Sequence, residues 1–555
     1  MLTACRPFYS ADWGDYVSFA RHMRDKAEAQ GQDLLVIETG DRVEGNGLWD
    51  SSEPKGVYVS EILRQQPVDV MTVGNHELYK QETSETELFT TVRDFRGHYL
   101  ASNVDIVHPV TRDVVPLAPR YKTFRTEQQG IRIVAFGFIF DFDMNCNNTV
   151  VQPVEETVRE EWFQEAIREA DVDLFLVAGH LPVRSREATV LFQAIRSVRW
   201  EIPIQVLGGH FHIRDYVQYD DRAAGLASGR FMETIGFVSI DGLSTSRQAQ
   251  TTWGGSPQFR RRYIDNNLRS FYQHTGLDKT SFPTEHGRNT SELIRQARRE
   301  LSLDRVYGCS PRNLWMSRVP YPSNDSIYTW LAEQVIPETL KDDTRKGKPA
   351  LVVANTGAIR FDLFQGPFTQ DSRYILSPFT NGFRYLADVP LDKAQLLVDV
   401  LNDQPKIVSQ GLAPSLPGLQ ALAPPEQAAR TPKQARNPLT PFSQQQTGET
   451  RSGRVRIYPG YTTTDDAGVD GDDTVHSPIS SHTVPNCIQA VVSDNPQPLT
   501  DTVDLVYVDF IERFLVQAAR VISLDVDVRR DSKVYMPGMG LSDLITDWVR
   551  ENWPC

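Results

Sequence analysis

Four apolar runs in the first half of this 555-residue chain end alike, in glycine followed by a residue able to hold a metal. They are Val36-Ile-Glu-Thr-Gly-Asp41, Met71-Thr-Val-Gly-Asn75-His76, Leu176-Val-Ala-Gly-His180 and Val206-Leu-Gly-Gly-His210-Phe-His212. A single aspartate or histidine after a strand is ordinarily a cap or a satisfied polar group. Four such endings, supplying carboxylate, amide oxygen and imidazole together, point instead to a divalent transition-metal site. In an open α/β sheet, ligands gather outside the carboxyl ends of the strands. Glycine at that point lets the chain turn sharply and leaves room for something close by.

The elements that must position these residues follow from the patterning. Short β-branched runs at 34–39, 68–73, 131–140, 174–178 and 204–207 alternate with helix-like stretches at 57–66, 155–170 and 187–198. That alternation predicts a sheet covered on both faces. Asp12, followed by Val17, Ala20, Met23 and Ala27 at helical spacing, predicts a capped opening helix. Residues 251–287 are polar and basic (Arg260-Arg261-Arg262) and read as a bridge with a helix beginning at Tyr263. A second alternating region holds an apolar helix at 327–335, a strand at 350–354, and further elements at 503–522 and 541–548. Within it, residues 405–500 are rich in Pro, Gln, Ser, Thr and Gly; the stretch 410–448 has little to place in a core and predicts a mostly disordered insertion. The expected organisation is a first domain over 1–250, a bridge over 251–287 and a second domain over 288–555.

Composition narrows the function classes. Lys+Arg 58 against Asp+Glu 72 gives a net charge of −14, which argues against a nucleic-acid coat or a polybasic membrane binder. No apolar run approaches the roughly 20 residues of a membrane span. Cys5, Cys146, Cys309, Cys487 and Cys555 form no CxxC pair; one or two disulfides are possible and the spacing does not choose between them. The acidic cluster Asp465, Asp466, Asp470, Asp472, Asp473 lacks the EF-hand register, so a solvated turn or a loop facing the cleft is expected. Arg260–Arg262 is expected to be an ion-pair patch. His22, His98 and His108 have no partner motif and are assigned to the surface or to structure.

Order and spacing carry a resemblance. Gly40-Asp41, Gly74-Asn75-His76-Glu77, Gly179-His180 and Gly209-His210-Phe211-His212 resemble the GD, GNHE, GH and GGHxH signature of calcineurin-like metallophosphoesterases. Downstream, Asn355-Thr-Gly357-Ala-Ile-Arg360 and Pro378-Phe379 resemble the NxGxxR and PF motifs of the 5′-nucleotidase substrate domain. The resemblance covers nearly the whole chain apart from the insertion. Ala11-Asp-Trp-Gly-Asp, Gly45-Asn-Gly-Leu-Trp and Arg230-Phe-Met-Glu-Thr-Ile-Gly are similar to a fungal-type branch. It implies an α/β protein: a four-layer α/β/β/α metallophosphoesterase sandwich plus a C-terminal 5′-nucleotidase-type α/β domain. It implies two divalent ions (Zn, Mn, Fe or similar), bridged by Asp41, with Asn75, His180 and His210 completing one site and His212 serving the other. His76 would donate to the leaving group or stabilise phosphoryl charge, Asn355, Gly357 and Arg360 would contact substrate, and Phe379 would stack on a base. The implied substrate is a small-molecule phosphate ester, a nucleotide, hydrolysed by metal-activated water. No nucleic-acid partner is implied, and the location implied is the secretory pathway, vacuolar or extracellular.

Three departures qualify these roles. The family pattern places Asp-x-His at the end of a strand ahead of the opening helix, whereas Met1–Ser10 contains neither residue. The expectation is that a strand with two metal ligands, and a signal peptide before it, belong in front of this sequence. The alternative is an impaired scaffold that binds a nucleotide or a partner without turning it over. A protein phosphatase reading shares the early motifs, but the NxGxxR region argues against it. Glu77-Leu78-Tyr79 lacks the aspartate that follows GNHE in nucleotidases, so the catalytic histidine loses its expected orienting partner. No second aromatic is evident to sandwich a base. The sequons at Asn147, Asn289 and Asn324 fit a secretory route.

Overall fold

The computed structural model describes residues 10–243, 245, 256–403, 419–428, 464–469, 471–473, 479–493 and 501–555. The chain forms two compact units. The first contains residues up to Val43, then Gly56–Ala297, and takes back the described residues of 464–473; the second contains Glu44–Lys55, Arg298–Ala428 and Ile479–Cys555.

The first unit is organised by a six-stranded sheet in the order 214–220, 223–228, 204–208, 174–180, 132–139, 121–125. Its four middle strands are parallel, and each outer strand is antiparallel to its neighbour. Side chains alternate across a strand, and here both faces are apolar. Val134, Phe136, Phe138, Phe175 and Val177 pack against Phe163, Ala166, Leu191 and Ile195 of the helices Glu161–Ala166 and Arg186–Val198. Ile133, Ala135, Leu174, Leu176 and Ala178 face the other way, against Ile37 and Val70 of a short parallel ladder, Ile37–Glu38 with Val70–Met71. From that ladder Met71 and Val73 turn outward to Leu63, Phe95 and Tyr99. The layers therefore run helix, sheet, sheet, helix. The opening helix, Trp13–Glu28, is capped by Asp12 as expected, and its Phe19 ring stacks on Phe271 at 4.4 Å.

Three expectations need correction. No helix begins at Tyr263. Gln258–Asp265 is a strand antiparallel to Thr234–Asp241, and the helix starts at Leu268 behind an Asn267 cap. Three consecutive arginines mask this strand in the sequence, and its Tyr263 and Ile264 both end buried. The acidic cluster is not a solvated turn: Asp465 and Asp472 are 6% and 7% exposed. Asp465 accepts from the Tyr263 hydroxyl at 2.9 Å and from both Nε and Nη2 of Arg261. Arg184 reaches Asp466 at 2.9 Å, Arg214 reaches Asp472 at 2.6 Å, and His274 lies 2.8 Å from Asp473. Arg261 is thus an ion-pair residue as expected, with a partner some 200 residues away in sequence. The stretch 410–448, expected to have little to place in a core, buries Leu419, Leu422, Ala423 and Ala428, and Cys487–Val492 is a sheet strand; Asp470 and most of the rest of 405–500 lie outside the described residues.

The second unit has a five-stranded sheet in the order 487–492, 350–355, 502–508, 382–390, 533–540, in which only 350–355 and 502–508 run parallel. Val352, Ala354 and Val506 pack on Tyr328, Trp330, Leu331, Leu544, Ile545 and Trp548. Helices Leu391–Leu401 and Glu512–Val521 also pack together in this unit, the former against the sheet strands. Cys309 and Cys555 form a disulfide across 246 residues, while Cys146 and Cys487 are free.

Candidate metal centre

The strand ends of the first unit bring four of the predicted ligands together. The ligand atoms of Asp41, His180 and His210 lie within 4.8 Å of one another. His180 Nε2 is 3.0 Å from Asp41 Oδ2 and 3.0 Å from Asn75 Oδ1. Its other nitrogen, Nδ1, lies 2.7 Å from the Thr39 carbonyl oxygen. A carbonyl only accepts, so Nδ1 carries the proton and the neutral ring presents its Nε2 lone pair to two oxygens. Lone pairs converging on lone pairs require a proton or a cation between them. A carboxylate, an amide oxygen and two imidazoles suit a divalent transition metal.

Electrostatics agree. Burial alone would raise the Asp41 carboxyl, but His180 and His76 outweigh it and hold it well below the usual carboxylate range. Burial would likewise lower His180, and Asp41 opposite overrides it, raising the imidazole.

The backbone around this cluster is unusual. Asp41, His210 and His212 all have left-handed backbone, at φ 61°, 73° and 55°, which costs a non-glycine residue roughly 1–3 kcal/mol and persists only where surroundings enforce it. Gly74 is required by close approach, because a Cβ there would lie 2.2 Å from Asp41 Oδ1.

At Asp41, Glu77 supplies the enforcement. It is fully buried and accepts from the amides of Asp41 (3.0 Å), Arg42 (2.6 Å) and Gly74 (2.8 Å), tying the GD and GNHE loops together. Beside it Arg42, also buried, pairs with Glu38 and with Glu87 (2.8 Å), and donates to the Tyr99 hydroxyl at 3.0 Å. Burial raises the carboxyls of Glu38 and Glu87, opposed by Arg42. Apart from Glu77, whose motif was visible but whose role was not, this network escaped the sequence reading. Glu38 and Arg42, four apart around Gly40-Asp41, were the available signal.

The other predicted residues are placed as follows. His76 is buried, donates its backbone N–H to Asp41 Oδ1 at 2.9 Å, and has its ring Nε2 4.0 Å from Asp41 Oδ2. His212 is not in the close trio; its ring meets Phe231 edge-on at 4.9 Å. In the second unit Asn355, Gly357, Arg360 and Phe379 form their own cluster at the end of strand Ala350–Asn355. The Ser377 hydroxyl donates to Ala358 O and the Arg360 amide to Leu376 O, which joins the two motifs. This seats the Arg360 guanidinium 5.4 Å above the Phe379 ring. Asn355 is 5% exposed, and its Oδ1 is buried without a hydrogen-bond partner among the described residues. A Cβ on Gly357 would approach Ala423 O at 2.9 Å.

Comparison with known proteins agrees with this geometry. Residues 11–214 match the calcineurin-like phosphoesterase family and residues 313–516 match the NAD nucleotidase C-terminal domain. The chain is similar to the crystal structure of a 5′-nucleotidase from Candida albicans, 36% identical with a TM-score of 0.83, covering 98% of this chain and 93% of that one. It is 35% identical to an uncharacterized protein of Schizosaccharomyces pombe over 98% of this chain and 85% of the relative. It is also 36% identical to a protein of Arthroderma benhamiae named as secreted, over 91% and 81% respectively. The chain therefore belongs to the calcineurin-like phosphoesterases of the 5′-nucleotidase family, with a metallophosphoesterase domain followed by a nucleotidase-type C-terminal domain.

Proposed function

We propose that this protein is a metal-dependent phosphoesterase that hydrolyses small-molecule phosphate esters or anhydrides, nucleotides foremost. The observation that carries the reading is the convergence of Asp41, Asn75 and His180 at 3.0 Å contacts, with His210 beside them. These four would hold one divalent ion. Asp41 and His212 would serve a second, supplying two of the four or more ligands such an ion takes. Bound ions of this kind polarise a phosphoryl oxygen and lower the pKa of bound water. The protein's own groups do the rest. Asp41 would offer carboxylate oxygens to the ions, and His76 would donate to the leaving group or steady phosphoryl charge. Asn355 and Arg360 would bind ribose or phosphate oxygens, and Phe379 would give a base one stacking face. Asn355 Oδ1, buried and unpartnered among the described residues, is an acceptor awaiting a donor such as a hydroxyl.

A secretory route, to the vacuole or the exterior, is part of this proposal. A relative is named as secreted, the Cys309–Cys555 disulfide suits an oxidising compartment, and Asn147, Asn289 and Asn324 are exposed for glycosylation.

The test is phosphate release from a nucleoside monophosphate, a UDP-sugar and an aryl phosphate, with His210→Ala as the comparison. Turnover on the nucleotides that collapses in the variant supports the proposal. Inertness toward all three with metal bound would convert the protein to a binding scaffold. Release from phosphopeptides alone would move it to the protein phosphatases.

A further inference from the structure

The position at which nucleotidases carry an aspartate holds Tyr79, and its contacts give it a task. After strand Val70–Met71 the chain makes a single 3-10 turn, His76–Leu78, which carries Tyr79 back beside Asn75 and His76. The Asn75 Nδ2 donates to the Tyr79 hydroxyl at 3.3 Å. An amide has one donor end and one acceptor end, so anchoring the nitrogen directs Oδ1 the opposite way, to its position 3.0 Å from His180 Nε2. The Tyr79 ring meets the His76 imidazole edge-on, centroids 5.3 Å apart at 79°. Tyr79 is braced in turn by Phe142 (5.2 Å, 89°), which packs on Phe140 (5.5 Å). Phe140 stacks on His210 at 4.1 Å and 24°. Aromatic packing of this kind adds to area burial and fixes ring orientation. One aromatic chain thus runs from His76 to His210, joining the GNHE loop to the GGHFH loop.

We propose that Tyr79 is a positioning residue of the metal centre: its hydroxyl sets which end of the Asn75 amide faces the ion, and its ring edge sets the plane of His76. This rests on the proposed reading of Asn75 as a ligand. Groups that orient metal ligands typically govern affinity or activity by about 10–100-fold.

The experiment strips the full-length protein with chelator and titrates Mn2+ calorimetrically into wild type, Tyr79→Phe, Tyr79→Ala, Asn75→Ala and the Asn75→Ala/Tyr79→Phe double variant. kcat and KM are then measured at saturating Mn2+. Tyr79→Phe, which keeps the ring, should weaken Mn2+ about tenfold while leaving KM unchanged and kcat near wild type once metal saturates. Tyr79→Ala should weaken metal similarly and also lower kcat at saturation, because His76 loses its edge contact. On the Asn75→Ala background, Tyr79→Phe should add nothing. Wild-type affinity in Tyr79→Phe, with Asn75→Ala impaired, would overturn the role of Tyr79 and leave the ligand set standing. Wild-type affinity in Asn75→Ala would overturn the ligand reading itself. Equal additional losses in the double variant would show that the two residues act separately, against the proposal.

Discussion

Two buried charges, one in each unit, are handled in opposite ways. In the first, Arg42 is enclosed among Glu38, Glu77 and Glu87, so Glu77 is left to clamp the amides of Asp41, Arg42 and Gly74. In the second, Asp50 is 7% exposed and accepts from the amides of Gly45 and Asn46, and the Lys55 ammonium binds its backbone carbonyl rather than its carboxylate. Burial first, and Glu44 next, push that carboxyl up to about 7. The strand-end clusters differ as well: Asp41, Asn75 and His180 contact one another directly, whereas Asn355 keeps a buried oxygen without a partner among the described residues. A site that fixes an ion needs its donors held before the ion arrives. A site that receives a changing organic ligand can leave donors and acceptors for that ligand to complete.

The largest effect expected from this contrast is at Glu77. Glu77→Ala strands three buried amides and unbalances Arg42, and should cost about 3–5 kcal/mol in chemical denaturation together with loss of metal binding. A cost below about 1 kcal/mol would break the claim that this network holds the loops. Asp50 gives the opposite signature. Its folded value of about 7 lies above the ordinary 3.8, so the folded protein holds this proton between roughly pH 4 and pH 7 where the unfolded chain releases it. Its contribution is therefore complete below pH 4 and lost as pH rises to 7, at up to about 1.4 kcal/mol per unit. Asp50→Asn should flatten that part of the denaturation profile. Arg360→Ala should raise KM for a nucleotide roughly 10–100-fold, the loss of a charged hydrogen bond, without changing metal affinity. A parallel loss of metal would dissolve the division of labour between the clusters. Gly357→Ala, which puts a methyl group near Ala423 O and Leu422 O, should cost about 1–2 kcal/mol in stability and leave the metal site untouched.

The legible parts of the molecule were those in which local pattern and function coincide. Gly40-Asp41, Gly74-Asn75-His76, Gly179-His180 and Gly209-His210 each sit where an apolar run stops, and their shared ending revealed a common strand-end site before any contact was known. The near-continuous apolar runs at 131–140 and 174–178 marked a sheet apolar on both faces, and Ile133 and Val134 do pack on opposite sides. What escaped depends on partners distant in sequence. Glu87 and Tyr99 reach Arg42 from elements 45 and 57 residues away, and no spacing rule encodes that. Asp465 read as solvent-facing because its partners, Arg261 and Tyr263, lie across 204 and 202 residues. The same pairing misled the reading of Tyr263, since a strand whose arginines are neutralised by a remote acidic segment presents no apolar alternation. His212, expected to serve the second ion rather than this one, lies outside the close trio with its ring against Phe231.

The central claim is that the quartet of Asp41, Asn75, His180 and His210 binds an ion on which hydrolysis depends. It is tested most directly by titrating Mn2+ into the chelator-stripped full-length protein while following bound metal and phosphate release from a nucleoside monophosphate in the same samples. The account predicts that release is absent in the stripped protein, rises with occupancy, and fails to return in His180→Ala at any metal concentration that saturates wild type. Undiminished release from the stripped protein, or full occupancy with no release from any phosphate ester, would contradict it.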